Sequence, residues 1–124
     1  MKIILTNIPS AGSVLLIDLL SKRLKDGVSR FLSVLLVGNI PPPPKDPCTI
    51  WMSTDQEIDQ DFIAKILEIY KGYSLACVID ATKKMPHLEP GKIPLIKDVV
   101  LIHYVAKPEG VVSILCKHLD LAEV

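Results

Sequence analysis

The chain has 124 residues, enough for one domain around one hydrophobic core. Fourteen basic residues balance fourteen acidic ones, so no global field draws it to nucleic acid or an anionic membrane. It is 49% hydrophobic and only 5% aromatic, so its core must be built from Ile, Leu and Val.

The first apolar run, Lys2–Thr6, predicts a strand. It is too short for a signal peptide, and nowhere does the chain reach the ~18 apolar residues of a membrane span. "TNIPSAGSVLLIDLLSKRL" follows, with a helix expected from Gly12 to Asp26 and Gly27 as its stop. Its early turns are apolar nearly all round, which predicts deep packing. Ser10 and Ser13 suit capping at its start. A second strand is expected over Phe31–Gly38. "NIPPPPKDP" then forms a stiff, extended loop, a rigid spacer or a ligand for a proline-reading domain. Thr49–Met52 is a third, short strand; its Trp51, the only tryptophan, suits core or interface packing.

Thr54 and Glu57 form a capping-box pattern for a second helix. Ile58, Phe62, Ile66, Ile69 and Tyr70 give that helix its apolar face, and Gly72 ends it. Leu75–Asp80 is a fourth strand. "ATKKMPHLEPGKIPLIK", with three prolines, is long for a loop, and such loops often carry function. A fifth strand spans Asp98–Val105. The third helix starts at Pro108, with Lys117 and His118 in its last turn.

The order is β-α-β-β-α-β-β-α. A ferredoxin-like fold accommodates the first six elements but leaves one sheet face bare, whereas these strands are continuously apolar. The expectation is therefore a single α/β domain over 1–124. It is a three-layer α/β/α sandwich around a mainly parallel five-stranded sheet, Rossmann-like or P-loop-like. Two joins lack a helix, which leaves the directions of strands three and five open.

Ligands of such sheets bind beyond the carboxyl ends of the strands. That edge collects the loops at 6–13, 39–48, 53–55, 81–96 and 106–109, with Thr6, Asn7, Ser10, Gly12, Ser13, Asn39, Thr54, Asp55, Asp80, Thr82, Lys83, Lys84, His87 and Lys107. The residues 7–14 resemble a phosphate-binding loop, GxxxxGK[ST], with Gly12 as its second glycine. Asn7 stands for the first glycine, Ser13 for the lysine and Val14 for the hydroxyl residue. "LACVID", ending in Asp80, resembles the second nucleotide motif. On these residues the chain resembles a degenerate P-loop NTPase of the KaiC/RecA-like or ParA/MinD-like groups. The resemblance implies a nucleotide at this edge. The absent lysine and hydroxyl remove the β/γ-phosphate and magnesium contacts, so ATP or GTP hydrolysis is not expected.

Each candidate also has a plainer role. "NIPSAGS" can be a capped turn, Asp80 a strand-end turn residue, and Lys83 and Lys84 a solvated pair. His87 is the better acid/base candidate of the three histidines, and His103 suits a core or an interface. No HxxxH, HExxH, CxxC or GxSxG spacing occurs, so no metal site or nucleophile is expected. The dispersed cysteines Cys48, Cys77 and Cys116 read as reduced thiols of a cytoplasmic protein, the last two as core residues.

The expected function is a non-catalytic binding module holding a nucleotide or other anionic small molecule, with no cofactor assigned. Rival readings are a small enzyme using Asp80, His87 and Lys83 or Lys84, and a dimeric sensor of a nucleotide second messenger. High apolar content in so short a chain predicts a homodimer, joined through strand three with Trp51 or through helix three. A ligand should lie between the 6–13 turn and the 81–87 loop.

Overall fold

Successive residues of a strand face opposite sides of a sheet, yet Ile3, Ile4 and Leu5 are all fully buried. β1 (Lys2–Thr6) is therefore covered on both faces. In the computed structural model, which describes residues 1–56, 58–80, 99–104 and 108–123, β1 is followed by α1 (Ser10–Arg23), β2 (Phe31–Leu35) and β3 (Thr49–Ser53). Then come α2 (Gln60–Ile69), β4 (Ser74–Asp80), β5 (Val99–Tyr104) and α3 (Pro108–His118). The strands lie in the order β2-β3-β1-β4-β5, and every pairing is parallel. The directions of β3 and β5, open in the sequence, are thereby fixed.

Alternation along the strands sorts the core into two clusters. Ile4, Trp51, Ala76 and Val78 meet Leu16 and Leu20 of α1 and Val112, Leu115 and Cys116 of α3. Ile3, Leu5, Ile50, Met52, Leu75, Cys77 and Ile79 meet Ile63 and Ile66 of α2. Both faces of β1, β3 and β4 are thus spent on burial, which explains why these strands read as unbroken apolar runs.

The structure corrects several sequence expectations. β2 ends at Leu35, not Gly38, and it is an edge strand with Leu32 and Leu35 exposed, so its apolar run does not mean cover on both faces. β3 has neighbours on both sides and Trp51 is 2% exposed, which removes it as a dimer surface. α1 begins two residues earlier than expected and is not buried all round. It buries Leu16 and Leu20, one turn apart, while Val14 is 67% and Leu15 42% exposed. Its N-cap is Pro9 and no side chain caps it, so neither Ser10 nor Ser13 takes that role. The helix stops at Arg23, with Leu24 extended; Gly27 instead takes φ +62° in the turn beyond, where its N–H donates to the Leu24 carbonyl (3.0 Å).

α2 likewise starts later than its capping-box pattern suggests. Asp59 is the N-cap, its carboxylate accepting from the Phe62 N–H at 2.8 Å. Thr54 is buried at the end of β3, and its hydroxyl accepts from the Gln56 N–H (3.1 Å), so it shapes a turn rather than a helix; Glu57 lies outside the described residues. The later start shifts the buried face onto Ile63, Ile66 and Tyr70 and leaves Ile69 40% exposed. Tyr70 donates its hydroxyl proton to the Pro41 carbonyl (2.7 Å), which pins the tetraproline loop to the end of α2. Past α3, the Lys25 N–H donates to the Ala122 carbonyl (2.8 Å) and Arg23 pairs with Glu123, fastening the tail against the end of α1. No helix among the described residues is long and apolar enough to cross a membrane.

Candidate functional site

All strands are parallel, so their carboxyl ends share one edge. From β1 the chain passes through α1 to β2; from β3 it passes through α2 to β4, on the other side of β1. The two connections leave neighbouring strands in opposite directions and on opposite faces. Such a switch point opens a crevice beyond the strand ends. Here the crevice lies between the ends of β1 and β3.

Two matched turns shape it. The Thr6 hydroxyl accepts from the Ile8 N–H at 3.1 Å, and the Thr54 hydroxyl accepts from the Gln56 N–H at the same distance. The Thr54 N–H donates to the Thr6 carbonyl (3.0 Å), locking the turns side by side. Thr6, Asn7 and Thr54 are each 5% exposed or less, so this floor is rigid and polar. Buried polar groups of this kind stay only where their hydrogen bonds are met.

Above the floor runs an open groove of about 620 Å³, within the usual size of small-molecule sites. One wall is the start of α1, with Ser10, Ser13, Val14 and Ile17. The facing wall comes from Ser33 and Leu35 of β2, and Ser53, Thr54 and Asp55 follow from β3. The first backbone N–H groups of a helix have no intrahelical partner, and Pro9 supplies no side-chain cap to α1. That end carries a partial positive charge, which favours an anion. Asp55 is exposed and is the one charged residue lining the groove among those described.

The structure thus brings Asn7, Ser10 and Ser13 to one groove and sets Thr6 beneath it. Gly12 lies in the first turn of α1 but does not line the groove. Asp80 is the last residue of β4, at the same sheet edge, paired in register with Tyr104. Lys83, Lys84 and His87 lie outside the described residues. Ser53 falls in the 53–55 loop expected at this edge, but Ser33 and Leu35 were not expected there, because nothing local says that β2 lies beside β3 and close to the start of α1. One signal was present: Val14 and Leu15 break the one-sided pattern of a packed helix.

Two buried thiols take no part in this edge chemistry. Burial pushes the Cys77 thiol up to about 12, and burial, reinforced by Glu123, also raises Cys116. Neither is poised as a nucleophile, which acts as the thiolate. Among the described residues no group of three or more His, Cys, Asp or Glu side chains is placed to hold a metal ion. No family model, curated protein or solved structure matches the chain.

Proposed function

We propose that this chain is a non-catalytic, cytoplasmic binding module that holds a nucleotide or similar anionic small molecule in the groove at the carboxyl edge. The observation that carries the reading is the coincidence of three features. The groove lies at the switch point between β1 and β3, it is walled by the uncapped start of α1, and it has room for a small ligand. In this reading the chain is a three-layer α/β/α sandwich, five-stranded, Rossmann- or P-loop-like, whose 7–14 turn has lost the lysine and hydroxyl of a phosphate loop. Phosphate oxygens meet the first N–H groups of α1. Val14 and Ile17 on one wall and Leu35 on the other offer apolar contacts, and Asp55 accepts from sugar hydroxyls. Lys83 and Lys84, three and four residues beyond Asp80, supply the counter-charge that the turn lacks. The module works as a homodimer.

Calorimetry against mono-, di- and trinucleotides tests this, with Ser10→Asp as the informative variant. A carboxylate at the first residue of α1 complements the helix dipole, so the protein should be slightly more stable. The same charge competes with the ligand's phosphate, so affinity should fall about tenfold or more. Lys83→Ala with Lys84→Ala should weaken binding similarly. No nucleotide binding, or binding indifferent to Ser10→Asp, would refute the reading.

A further inference from the structure

β2 is the outer strand on one side of the sheet and pairs with β3 alone. The Leu36 N–H donates to the Ser53 carbonyl (2.8 Å), so the even-numbered backbone groups of this segment face β3. Alternation turns those of Phe31, Ser33 and Leu35 outward, and no strand among the described residues pairs with them. Sheets guard such edges with lysine, proline, a bulge or a cover. The segment Phe31–Val37 carries no charge and no proline. Bare apolar surface also collects here: Leu32 is 42% exposed, Leu35 72% and Val37 77%, and Val14, at 67%, lines the same groove as Leu35 from its other wall.

We propose that the β2 edge is the surface through which two copies of this chain join, by antiparallel β2–β2 pairing about a two-fold axis at Ser33. The proposal rests on the homodimer reading above and names its interface. A second copy fits the edge for three reasons. The first is side-chain matching. A two-fold axis normal to the sheet keeps the two faces in common, so opposed residues must have the same parity. Ser33 then meets Ser33, Leu32 meets Val34, and Leu35 meets Phe31. Within β2 every cross-strand pair is apolar except the two hydroxyls on the axis; just beyond it Arg30 falls opposite Leu36.

The second reason is hydrogen bonding. The outward N–H and C=O of Ser33 meet their own equivalents and exchange two bonds, and the Leu35 N–H reaches the Phe31 carbonyl across the axis. The Phe31 N–H needs no partner there, since it already donates to the Val28 carbonyl at 3.0 Å. The third reason is charge. Arg30 is the only charged residue between Gly27 and Pro44. Antiparallel pairing sends the two arginines to opposite ends of the joint, about 20 Å apart at strand rise, where salt screens them. A parallel arrangement would stack them. The joint also seats Phe31 of the second copy beside Leu35, so the open side of the ligand groove is closed from across the axis.

Light scattering, crosslinking and substitution test the interface on the full chain. The wild type should run as a dimer. Ser33→Lys sets two ammonium groups against each other on the axis and should weaken the dimer about a hundredfold or more, with an unchanged far-ultraviolet circular dichroism spectrum. Leu32→Lys, on the opposite face and also exposed, should do the same. Ser33→Cys should form an intermolecular disulfide under mild oxidation, because hydrogen-bonded opposed residues sit about 5.5 Å apart at Cα, within disulfide reach. Leu35→Cys, offset from the axis, should not crosslink. A dimer that survives both lysine variants and gives no Ser33→Cys crosslink places the interface elsewhere while leaving the dimer standing. A wild-type chain that stays monomeric across a wide concentration range overturns both.

Discussion

At the scale of single residues, Trp51 is the sharpest case. It is 2% exposed in the cluster under α1 and α3, and its indole Nε1–H has no hydrogen-bond partner among the described residues. A buried donor left unpaired costs about 1–3 kcal/mol. Trp51→Phe removes that donor and leaves a smaller ring, so relief of the polar cost opposes the new void. The expected loss of stability is about 1 kcal/mol or less, whereas Trp51→Ala should cost about 3–5 kcal/mol. Urea unfolding followed by circular dichroism separates the two; a Phe variant as damaging as the Ala variant would show that the indole N–H is satisfied. The sequence could place Trp51 in a core or an interface but could not choose, because the choice depends on whether β3 has neighbours on both sides. The same limit applies to the site. Asn7, Ser10, Ser13 and Ser53 lie at strand ends and were legible from local order alone, while Ser33 and Leu35 reach the groove only through strand adjacency.

At the scale of elements, strands covered on both faces were readable almost to the residue, and the exposed one was not. β1, β3 and β4 are apolar because two clusters demand it. β2 is apolar with much of that surface left open, and composition cannot tell the two apart. Helix starts were the other weak point, and α2 shows why. Thr54 with Glu57 and Asp59 with the following turn both look like caps; the competition is decided by β3, which runs on to Ser53 and holds Thr54 at its end. The helix therefore depends on Asp59, whose carboxylate accepts from the Phe62 N–H. Asp59→Ala should destabilise the protein by about 1 kcal/mol, and Asp59→Ser or Asp59→Asn by much less. Thr54→Val, which removes the hydroxyl that accepts from Gln56, should leave the amide protection of α2 intact in hydrogen exchange. Loss of α2 protection in Thr54→Val, with none in Asp59→Ala, would restore the earlier cap.

At the scale of the whole molecule, the two clusters on opposite faces of the sheet share one vulnerability. Each holds a thiol with a raised pKa. Cys77, fully buried among the α2-side residues, is pushed by burial to about 12 from its ordinary 9.0. Cys116, on the α1–α3 side, is raised by burial and by Glu123, with Arg23 opposing. Tyr70 at the end of α2 is raised by burial, then by Tyr73 and Cys48. All three shifts have one sign: the folded state holds protons that the unfolded chain gives up. Below about pH 9 both states keep the Cys77 proton, and this thiol contributes no pH dependence. Between about pH 9 and 12 the unfolded chain binds fewer protons, so stability falls as pH rises. One fully differential proton tilts the unfolding free energy by about 1.4 kcal/mol per pH unit. Urea midpoints should therefore be level for these groups below pH 9 and decline steadily above it. Cys77→Ala lowers stability throughout by leaving a void, but it also deletes one titrating group, so its decline above pH 9 should be shallower. The slope, not the baseline, carries the test: parallel declines in the two proteins would mean that the Cys77 thiolate is reached by solvent in the folded state and that the α2-side cluster is not closed over it.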